Sequence, residues 1–287
     1  MVNREKTKLQ IVYDEIRNTL GKITEDADFE AKELLQAVCG VSRQDLMLGR
    51  DVPVSEEQQR KLNEMVRRRM ERYPLQYLLG EWDFFGRRFF VGEGVLIPRS
   101  DTEPLAEACL ELLKGVEKPR MLDLCAGSGC IGITLQLERP DGEVWAVEKS
   151  LEAWKFFQKN NAAYGGKVHG ILGDALDLNA VAGEFDLIVS NPPYLTGAEM
   201  AALQQEVAYE PAMALYGEDD GLFFYRELSE KWASRLKKGS VMAFEVGDAQ
   251  GEEVAGIFRD AGFDSICQKR DLHGIIRVVS AKRPLEG

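Results

Sequence analysis

The sequence predicts an α/β fold in which a small N-terminal helical domain and a linking β-hairpin precede a doubly wound, mostly parallel sheet. Two observations support this prediction. From about residue 120 onward, short apolar runs typical of buried strands alternate with helical segments, as in consecutive βαβ units. Before residue 75 the apolar residues recur at helical spacing instead. We therefore expect a helical domain over residues 1–75, a hairpin linker over 76–105 and the sheet domain over 106–287.

The N-terminal segment should contain four helices. The first ends at Gly21 and the second at Gly40, because in both cases a glycine follows apolar residues at helical spacing. A short third helix is expected near residues 42–48. Ser55 precedes two glutamates and a glutamine, a typical N-cap sequence, and therefore begins a fourth helix that ends before Pro74.

The linker is predicted to form a β-hairpin. Residues 82–91 alternate between apolar and polar side chains around a Gly86-Arg87 turn. Ser100 and Glu103 follow in an S-x-x-E pattern, which predicts a capping box at the first helix of the sheet domain.

A glycine-rich loop follows the first predicted strand of the sheet domain. Gly127, Gly129 and Gly132 satisfy the G-x-G-x-x-G pattern, and Glu148 stands at the end of the next apolar run. The pattern alone is weak, because dinucleotide-binding enzymes share it. Asp123 lies directly before the loop, and its charge would repel a pyrophosphate at the helix N-terminus. A carboxylate there suits a ligand with an ammonium and a sulfonium group.

Acidic residues stand at the ends of three successive predicted strands. Besides Asp123, Glu148 is placed to accept hydrogen bonds from both hydroxyls of a ribose. Asp174, after the strand over residues 168–172, is placed to accept from an adenine amino group. Either carboxylate alone is equally consistent with a helix cap. Because the three belong to one βαβαβ unit, a common ligand is favoured.

The segment Asn191-Pro192-Pro193-Tyr194 follows an apolar run that predicts a buried parallel strand. Asn191 then lies at the carboxyl end of that strand, where open α/β sheets bind ligands. The two prolines remove backbone donors and keep the loop extended. The Asn191 side-chain oxygen and the Pro192 carbonyl are each able to accept one N–H of a planar NH2 group. The alternative is a proline-rich turn after a core strand.

Together these motifs resemble a class I S-adenosylmethionine-dependent methyltransferase of the amino-methylating kind, with a Rossmann-like sheet. Segments 74–80 and 96–103, with Glu206 and Glu210, are similar to the HemK/PrmC family of release factor glutamine methyltransferases. The resemblance covers about residues 74–279, and the N-terminal helices more loosely.

Two departures from that family pattern are small. Ser100-Asp101 stands where the family commonly has Pro-Glu, and Cys125-Ala126 where it often has Gly-Thr. Neither departure removes a side chain that the expected chemistry requires.

The resemblance implies transfer of a methyl group from S-adenosylmethionine to the glutamine side-chain amide in the Gly-Gly-Gln motif of peptide chain release factors. The residues expected to bind the cofactor are Asp123, Cys125, Ala126, Gly127, Ser128, Gly129, Glu148, Asp174 and Asn191. The residues expected to be catalytic are Asn191, Pro192, Pro193 and Tyr194. We expect the N-terminal helices to recognise the release factor, and the protein to be a monomer.

Three other functions remain open at this point. A nicotinamide-dependent oxidoreductase would use the glycine pattern but leaves the Asn191 segment unexplained. A non-catalytic ribosome-associated binding module leaves the acidic strand ends unexplained. The close rival is an enzyme that methylates a glutamine of a ribosomal protein.

The formal net charge of −12 lies entirely in the second part of the chain. Of the 36 basic and 48 acidic side chains, residues 1–75 carry 14 of each, and residues 76–287 carry 22 and 34. Such an acidic domain disfavours a nucleic-acid substrate, because affinity for duplex DNA depends on neutralising phosphates. The exception is a basic cluster formed by Arg67, Arg68, Arg69 and Arg72. This cluster indicates either a solvated helix face or a docking patch for an acidic partner.

The composition is that of an ordinary globular protein, with 45% hydrophobic and 29% charged residues in a chain of 287. The sequence has no run of 18 apolar residues, no signal-peptide pattern at its start and no C-x-x-C among its five cysteines. We therefore expect a cytoplasmic protein with reduced thiols and no membrane association. With only two histidines, a His-based metal site is poorly supported, and no metal is expected.

Overall fold

The computed structural model describes residues 8–50, 52–271 and 273–285. The first seven residues, where the sequence shows no signal-peptide pattern, lie outside the described residues. Contacts divide the chain into two compact units. The first contains the described residues through Gly80 together with Gln205–Tyr209, and the second contains Glu81–Gln204 and the described residues from Glu210 onward.

The first unit is helical, as predicted. Its helices are α1 (Lys8–Leu20), α2 (Ala27–Cys39), α3 (Arg43–Met47), α4 (Glu56–Met70) and α5 (Leu75–Leu79). Gly40 ends α2 in the left-handed conformation at φ 68°, where glycine carries no steric penalty. Ser55 forms the expected capping box at the start of α4, with its side chain accepting the Gln58 N–H. The unit extends past residue 75 because α5 packs on α2 and α4.

The basic cluster is largely neutralised within the first unit. Arg69 is 5% exposed and forms a bidentate ion pair with Glu30, at 2.8 and 2.9 Å. Arg69 and Arg72 also contact the Glu206 carboxylate, at 3.0 and 3.2 Å. Arg67 bonds two glutamates of its own helix. These pairs make the cluster a structural element of this unit rather than a free basic patch.

The second unit begins with the predicted hairpin, formed by antiparallel strands β1 (Glu81–Phe84) and β2 (Arg87–Phe90). The capping box predicted for Ser100 and Glu103 is wrong. A short 3-10 turn, Ser100–Thr102, precedes the helix α6 (Glu103–Leu112), so that Ser100 does not occupy the N-cap position. The Glu103 carboxylate instead accepts the backbone N–H of Phe85, at 2.8 Å.

A seven-stranded sheet forms the centre of the second unit, in the order β5-β4-β3-β6-β7-β9-β8. Its strands are β3 (Arg120–Leu124), β4 (Glu143–Glu148), β5 (His169–Leu172), β6 (Phe185–Ser190), β7 (Leu236–Glu245), β8 (Asp264–Arg270) and β9 (Ile276–Lys282). The first five are parallel, whereas β9 runs antiparallel to both β7 and β8. The predicted doubly wound, mostly parallel sheet is thus confirmed, and an antiparallel pair of strands, β8 and β9, closes one edge.

Helices cover both faces of this sheet. Those that follow α6 are α7 (Cys130–Glu138), α8 (Leu151–Ala163), α9 (Gly197–Ala201), α10 (Phe223–Trp232) and α11 (Gly251–Asp260). Side chains of α6, α7 and α8 join one hydrophobic cluster and those of α10 and α11 join another. Leu187, Ile188 and Val189 of β6 alternate between the clusters, because successive strand side chains point to opposite faces. Among the described residues, no helix has the length and apolarity needed to cross a bilayer.

Candidate active site

A cavity of about 240 Å³ opens at the carboxyl edge of the sheet, within the second unit. Its position matches the crevice where open α/β sheets bind ligands. Such a crevice lies where the strand order reverses, and here it reverses at β3, which has β4 on one side and β6 on the other. The walls come from six segments, which lie within residues 94–102, 125–131, 148–153, 174–176, 191–193 and 211–224. These segments include the glycine loop, two of the acidic strand ends and the Asn191 loop.

The glycine loop connects β3 to α7 through three residues with left-handed backbone, Cys125 at φ 61°, Gly127 at 55° and Gly129 at 82°. A Cβ atom on Gly129 would lie 2.7 Å from the Phe157 ring, so a larger residue does not fit there. A Cβ on Gly127 would meet open space. Cys125 carries backbone strain because its side chain is disfavoured in this conformation. Glycine, which often stands here in the family that the sequence resembles, would avoid the strain.

Glu148, at the end of β4, anchors this loop. Its Oε2 accepts the Gly127 N–H at 2.7 Å and its Oε1 accepts the Ser150 N–H at 2.6 Å. The side chain lines the cavity and is largely buried. Burial raises the pKa of the Glu148 carboxyl group, although the backbone hydrogen bonds oppose this shift. Each oxygen keeps a further lone pair for a hydroxyl group in the cavity.

Asp174 follows β5 and also lines the cavity. Its Oδ1 accepts the Leu176 N–H at 2.9 Å, and its Oδ2 lies 2.8 Å from the Lys149 ammonium. Partial burial would raise the pKa of Asp174, but the Lys149 and Leu176 hydrogen bonds outweigh it, and the pKa is lowered. The carboxylate is therefore charged at neutral pH and able to accept from an amino group.

Asp123 lies behind the cavity wall rather than among the lining residues. It is 1% exposed, and its Oδ2 accepts the Gly132 N–H at 2.9 Å. A Cβ on Gly132 would lie 2.9 Å from that oxygen, so the third glycine of the motif makes room for the carboxyl group. Its Oδ1 has no hydrogen-bond partner among the described residues. Burial raises the pKa of Asp123 to about 7.

The other residues predicted to bind the cofactor also divide into those that line the cavity and those that do not. Cys125, Ala126, Gly127, Ser128 and Asn191 line the cavity, whereas Gly129 does not. Burial raises the pKa of the Cys125 thiol to about 12, so that this residue acts as a packing group and not as a thiolate.

Of the predicted catalytic residues, Asn191 and Pro193 line the cavity, whereas Pro192 and Tyr194 do not. The loop is held by backbone bonds, because Tyr194 and Leu195 both donate to the Leu215 carbonyl, at 3.1 and 2.8 Å. Burial raises the pKa of Tyr194 well above its ordinary value, which keeps the phenol neutral.

Sequence reasoning missed Gln250. Its amide donates to the Tyr194 carbonyl at 3.0 Å, while its oxygen accepts the Gly247 N–H at 3.1 Å and the Tyr225 hydroxyl at 3.3 Å. It thereby fixes the end of the Asn191 loop. No local pattern marks Gln250, because two of its partners, Tyr194 and Tyr225, lie 56 and 25 positions away in the sequence.

Two glutamates were also missed as structural parts of the site. Glu210 accepts the Ile97 N–H at 2.9 Å and pairs with Arg99, which fixes the wall over residues 94–99. Glu245 ends β7 and is 3% exposed. Burial raises the pKa of Glu245 to about 7. The position of Glu245 at the end of an apolar run is the signal that identified Glu148, and it was available in the sequence.

The cavity therefore combines backbone turns open to a ligand with carboxylates in and behind its walls. Such a site favours a ligand that carries hydroxyl, amino and positively charged groups over one that carries phosphates. The described residues contain no cluster of three or more metal-ligating side chains.

Two family models match parts of the chain, and known proteins are similar to most of it. The family model described as PrmC N-terminal domain matches residues 12–80, and that described as methyltransferase small domain matches residues 102–218. The chain is 39% identical over 262 residues to the release factor glutamine methyltransferase of Geobacter sulfurreducens, covering 91% of each chain. It is 37% identical over 265 residues to the protein of that name from Fusobacterium nucleatum, covering 90% of this chain and 73% of the other.

A solved structure shares the fold. The methyltransferase of Pyrococcus furiosus superposes with a TM-score of 0.52 at 15% identity, covering 80% of this chain and 100% of the other.

Proposed function

The chain belongs to the family of release factor glutamine methyltransferases, and on this premise we propose that its cavity binds S-adenosylmethionine beside the glutamine to be methylated. It is an enzyme that transfers a methyl group to the side-chain amide nitrogen of a release factor glutamine. The single observation that carries the proposal for the site is the convergence of the glycine loop, Glu148, Asp174 and Asn191 on one cavity.

The residues present fit this cofactor. Bound S-adenosylmethionine supplies a methyl group activated by attachment to a sulfonium. In our proposal Glu148 accepts hydrogen bonds from the ribose hydroxyls and Asp174 from the adenine amino group. Ser128 and the backbone of residues 125–128 shape the wall, and the open space beside Gly127 supports this role. When ionised, Asp123 adds negative charge behind the loop, which favours the ammonium and sulfonium groups, and a bound cation in turn favours the ionised form.

Asn191 addresses the central chemical problem, which is that an amide nitrogen is a poor nucleophile. We propose that the Asn191 Oδ1 and the Pro192 carbonyl each accept one N–H of the substrate amide. Two acceptors orient the nitrogen toward the methyl group and raise its electron density as positive charge develops. Pro193 keeps the loop extended, and we propose that Tyr194, which does not line the cavity in this structure, packs against the glutamine side chain of the bound substrate. No general base is needed, since the methylated amide nitrogen is strongly acidic before it loses its proton.

We also propose that the first unit recognises the release factor and takes no part in the chemistry. A single loop glutamine offers few contacts, so selection of one protein requires additional surface away from the reacting atoms. Residues 1–75 as a recognition domain, a monomeric state and a cytoplasmic location remain predictions.

Mass spectrometry tests the proposed function directly. A purified release factor is incubated with the full chain and isotopically labelled S-adenosylmethionine, and its tryptic peptides are sequenced. We expect one labelled methyl group on the side chain of the Gly-Gly-Gln glutamine. Ribosomal proteins are incubated in parallel, and labelling there but not on the release factor would identify the rival substrate. Binding of NADH but not S-adenosylmethionine in calorimetry would refute the methyltransferase site.

A further inference from the structure

Glu245 is a buried carboxyl group that the proposed chemistry does not use. It ends β7, directly beside β6, where Ser190 pairs with Phe244 and Asn191 follows. The Thr102 and Asn191 side chains lie close enough to the Glu245 carboxyl group to oppose, as hydrogen-bonding neighbours, the rise of its pKa that burial causes. Its second oxygen, Oε2, has no hydrogen-bond partner among the described residues. A buried acceptor of this kind lowers stability, which indicates that it is retained for another reason.

The chemistry of Asn191 supplies such a reason. An asparagine amide presents an oxygen and an NH2 group of nearly equal size, and its orientation is set only by its hydrogen-bond partners. To accept an N–H from a substrate, Asn191 must direct its oxygen into the cavity. With the opposite orientation, two NH2 groups would face each other and no hydrogen bond would form.

The partners of Asn191 favour one orientation. Its Nδ2 donates to the Thr102 Oγ1 at 3.3 Å. A Thr102 hydroxyl that turns its proton toward the neighbouring Glu245 carboxylate leaves its oxygen as the acceptor facing Asn191. An ionised carboxylate accepts hydrogen bonds but cannot donate one. In its ionised form Glu245 therefore sets the direction of the whole chain of bonds, and Thr102 transmits it.

We propose that Glu245, acting with Thr102, is a positioning residue that holds the Asn191 amide with its oxygen toward the substrate nitrogen. This inference rests on the proposed function, because it assigns Glu245 a role in the same methyl transfer. Glu245 does not touch the substrate in this arrangement. It acts on the reaction rate through Asn191 and contributes nothing to cofactor binding.

The first experiment replaces each acceptor by an apolar group of similar shape, in Glu245→Leu and Thr102→Val. We expect Glu245→Leu to lower kcat by roughly tenfold, equivalent to about 1.4 kcal/mol. The KM for release factor and the Kd for S-adenosylmethionine should change by less than about threefold. Glu253→Leu, the same change at an exposed position of α11, serves as the control. An unchanged kcat in Glu245→Leu, or equal losses in kcat and cofactor affinity, would overturn the inference.

The second experiment asks whether the effect passes through Asn191. In Asn191→Asp both side-chain oxygens are acceptors, so there is no orientation left to lose. Glu245→Leu in this background should leave kcat unchanged or raise it, because it removes a carboxylate that repels the new one. If Asn191→Asp is too slow to measure, the Glu245→Leu/Thr102→Val double variant replaces it. The decrease in kcat of this double variant should be no larger than the greater of the decreases in the two single variants.

The outcomes separate two failures. If the wild-type protein methylates release factor but the losses of Glu245→Leu and Thr102→Val multiply, the two residues act independently and the positioning role is refuted. The positioning role is also refuted if Glu245→Leu lowers kcat by the same factor in the wild-type protein and in Asn191→Asp. If the wild-type protein does not methylate release factor, the proposed function itself fails.

Discussion

The Glu148 carboxylate accepts the backbone N–H of Gly127 across 2.7 Å, which ties the end of β4 to the glycine loop. The same carboxylate accepts the Ser150 N–H at 2.6 Å with its other oxygen. One side chain thus holds two turns that form the walls of the cavity. Any substitution of Glu148 should therefore act on the shape of the site as well as on a direct ligand contact.

Glu148→Gln should weaken S-adenosylmethionine binding by roughly 10- to 100-fold, or about 1.4–2.7 kcal/mol. Whichever way the new amide turns, its NH2 group faces a backbone N–H and one hydrogen bond is lost. Isothermal calorimetry measures the affinity, with the exposed Glu111→Gln as the control. Wild-type affinity in Glu148→Gln would show that the ligand does not use this carboxylate.

Asn191→Ala should abolish nearly all turnover while the Kd for S-adenosylmethionine stays within about threefold of the wild-type value. The substitution removes one of the two proposed acceptors for the substrate amide but leaves the glycine loop intact. Asn191→Asp should retain some activity, since it keeps an acceptor. A kcat for Asn191→Ala within about threefold of wild type, under about 0.7 kcal/mol, would contradict the amide-orienting role.

Asp123 should make the stability of the ligand-free protein depend on pH. Burial raises its pKa to about 7, well above the ordinary value of an aspartate, so folding disfavours the charged form. The resulting loss of stability begins above pH 4 and is complete above pH 7, as pH rises through the folded-state pKa. Asp123→Asn removes this titration. Between pH 5 and 8 the unfolding free energy of the wild type should fall by about 2–3 kcal/mol more than that of Asp123→Asn.

Urea unfolding at pH 5 and pH 8 measures this difference. Glu148 and Glu245 also have raised pKa values because of burial, but they titrate in both proteins and cancel in the comparison. If the unfolding free energies of wild type and Asp123→Asn change equally with pH, the folded protein does not disfavour the ionised form of Asp123.

Gln250→Leu should lower both stability and activity. The substitution leaves the Tyr194 carbonyl and the Gly247 N–H without their partner, which costs about 1–3 kcal/mol of unfolding free energy. Because the Asn191 loop loses its anchor, kcat should fall as well. Gln268→Leu, the same change at a more exposed position, is the matched control. Its unfolding free energy should stay within about 0.5 kcal/mol of the wild-type value. Equal stability of the two variants would refute an anchoring role for Gln250.

Two exposed apolar residues of the first unit test its proposed recognition role. Met47 and Leu48 are 83% and 62% exposed, and such side chains are typical of contact surfaces. Met47→Ser/Leu48→Ser should raise KM for intact release factor by roughly fivefold, about 1 kcal/mol. The kcat value and the rate with a short Gly-Gly-Gln peptide should not change. Leu285→Ser, 72% exposed in the second unit, is the control, and an unchanged KM would exclude this surface.

Much of the fold was predictable because its signals are local. The Gly40 helix end and the Ser55 capping box each depend on residues within one turn of a helix. The predicted capping box at Ser100 failed because Glu103 bonds the Phe85 N–H, 18 positions away, which no local pattern reveals. Sequence periodicity records the burial of a segment but not its distant hydrogen-bond partners.

The sequence by itself determined the α/β architecture and brought Glu148, Asp174 and Asn191 to one edge, because the carboxyl ends of parallel strands meet there. Only the tertiary structure decided which way the side chains turn. Asp123 faces α7 instead of the cavity, and Asn191 meets Thr102 across 89 positions of sequence. The direction of a side chain at a strand end depends on the neighbouring strand and turn, and those neighbours are set by packing of the whole sheet.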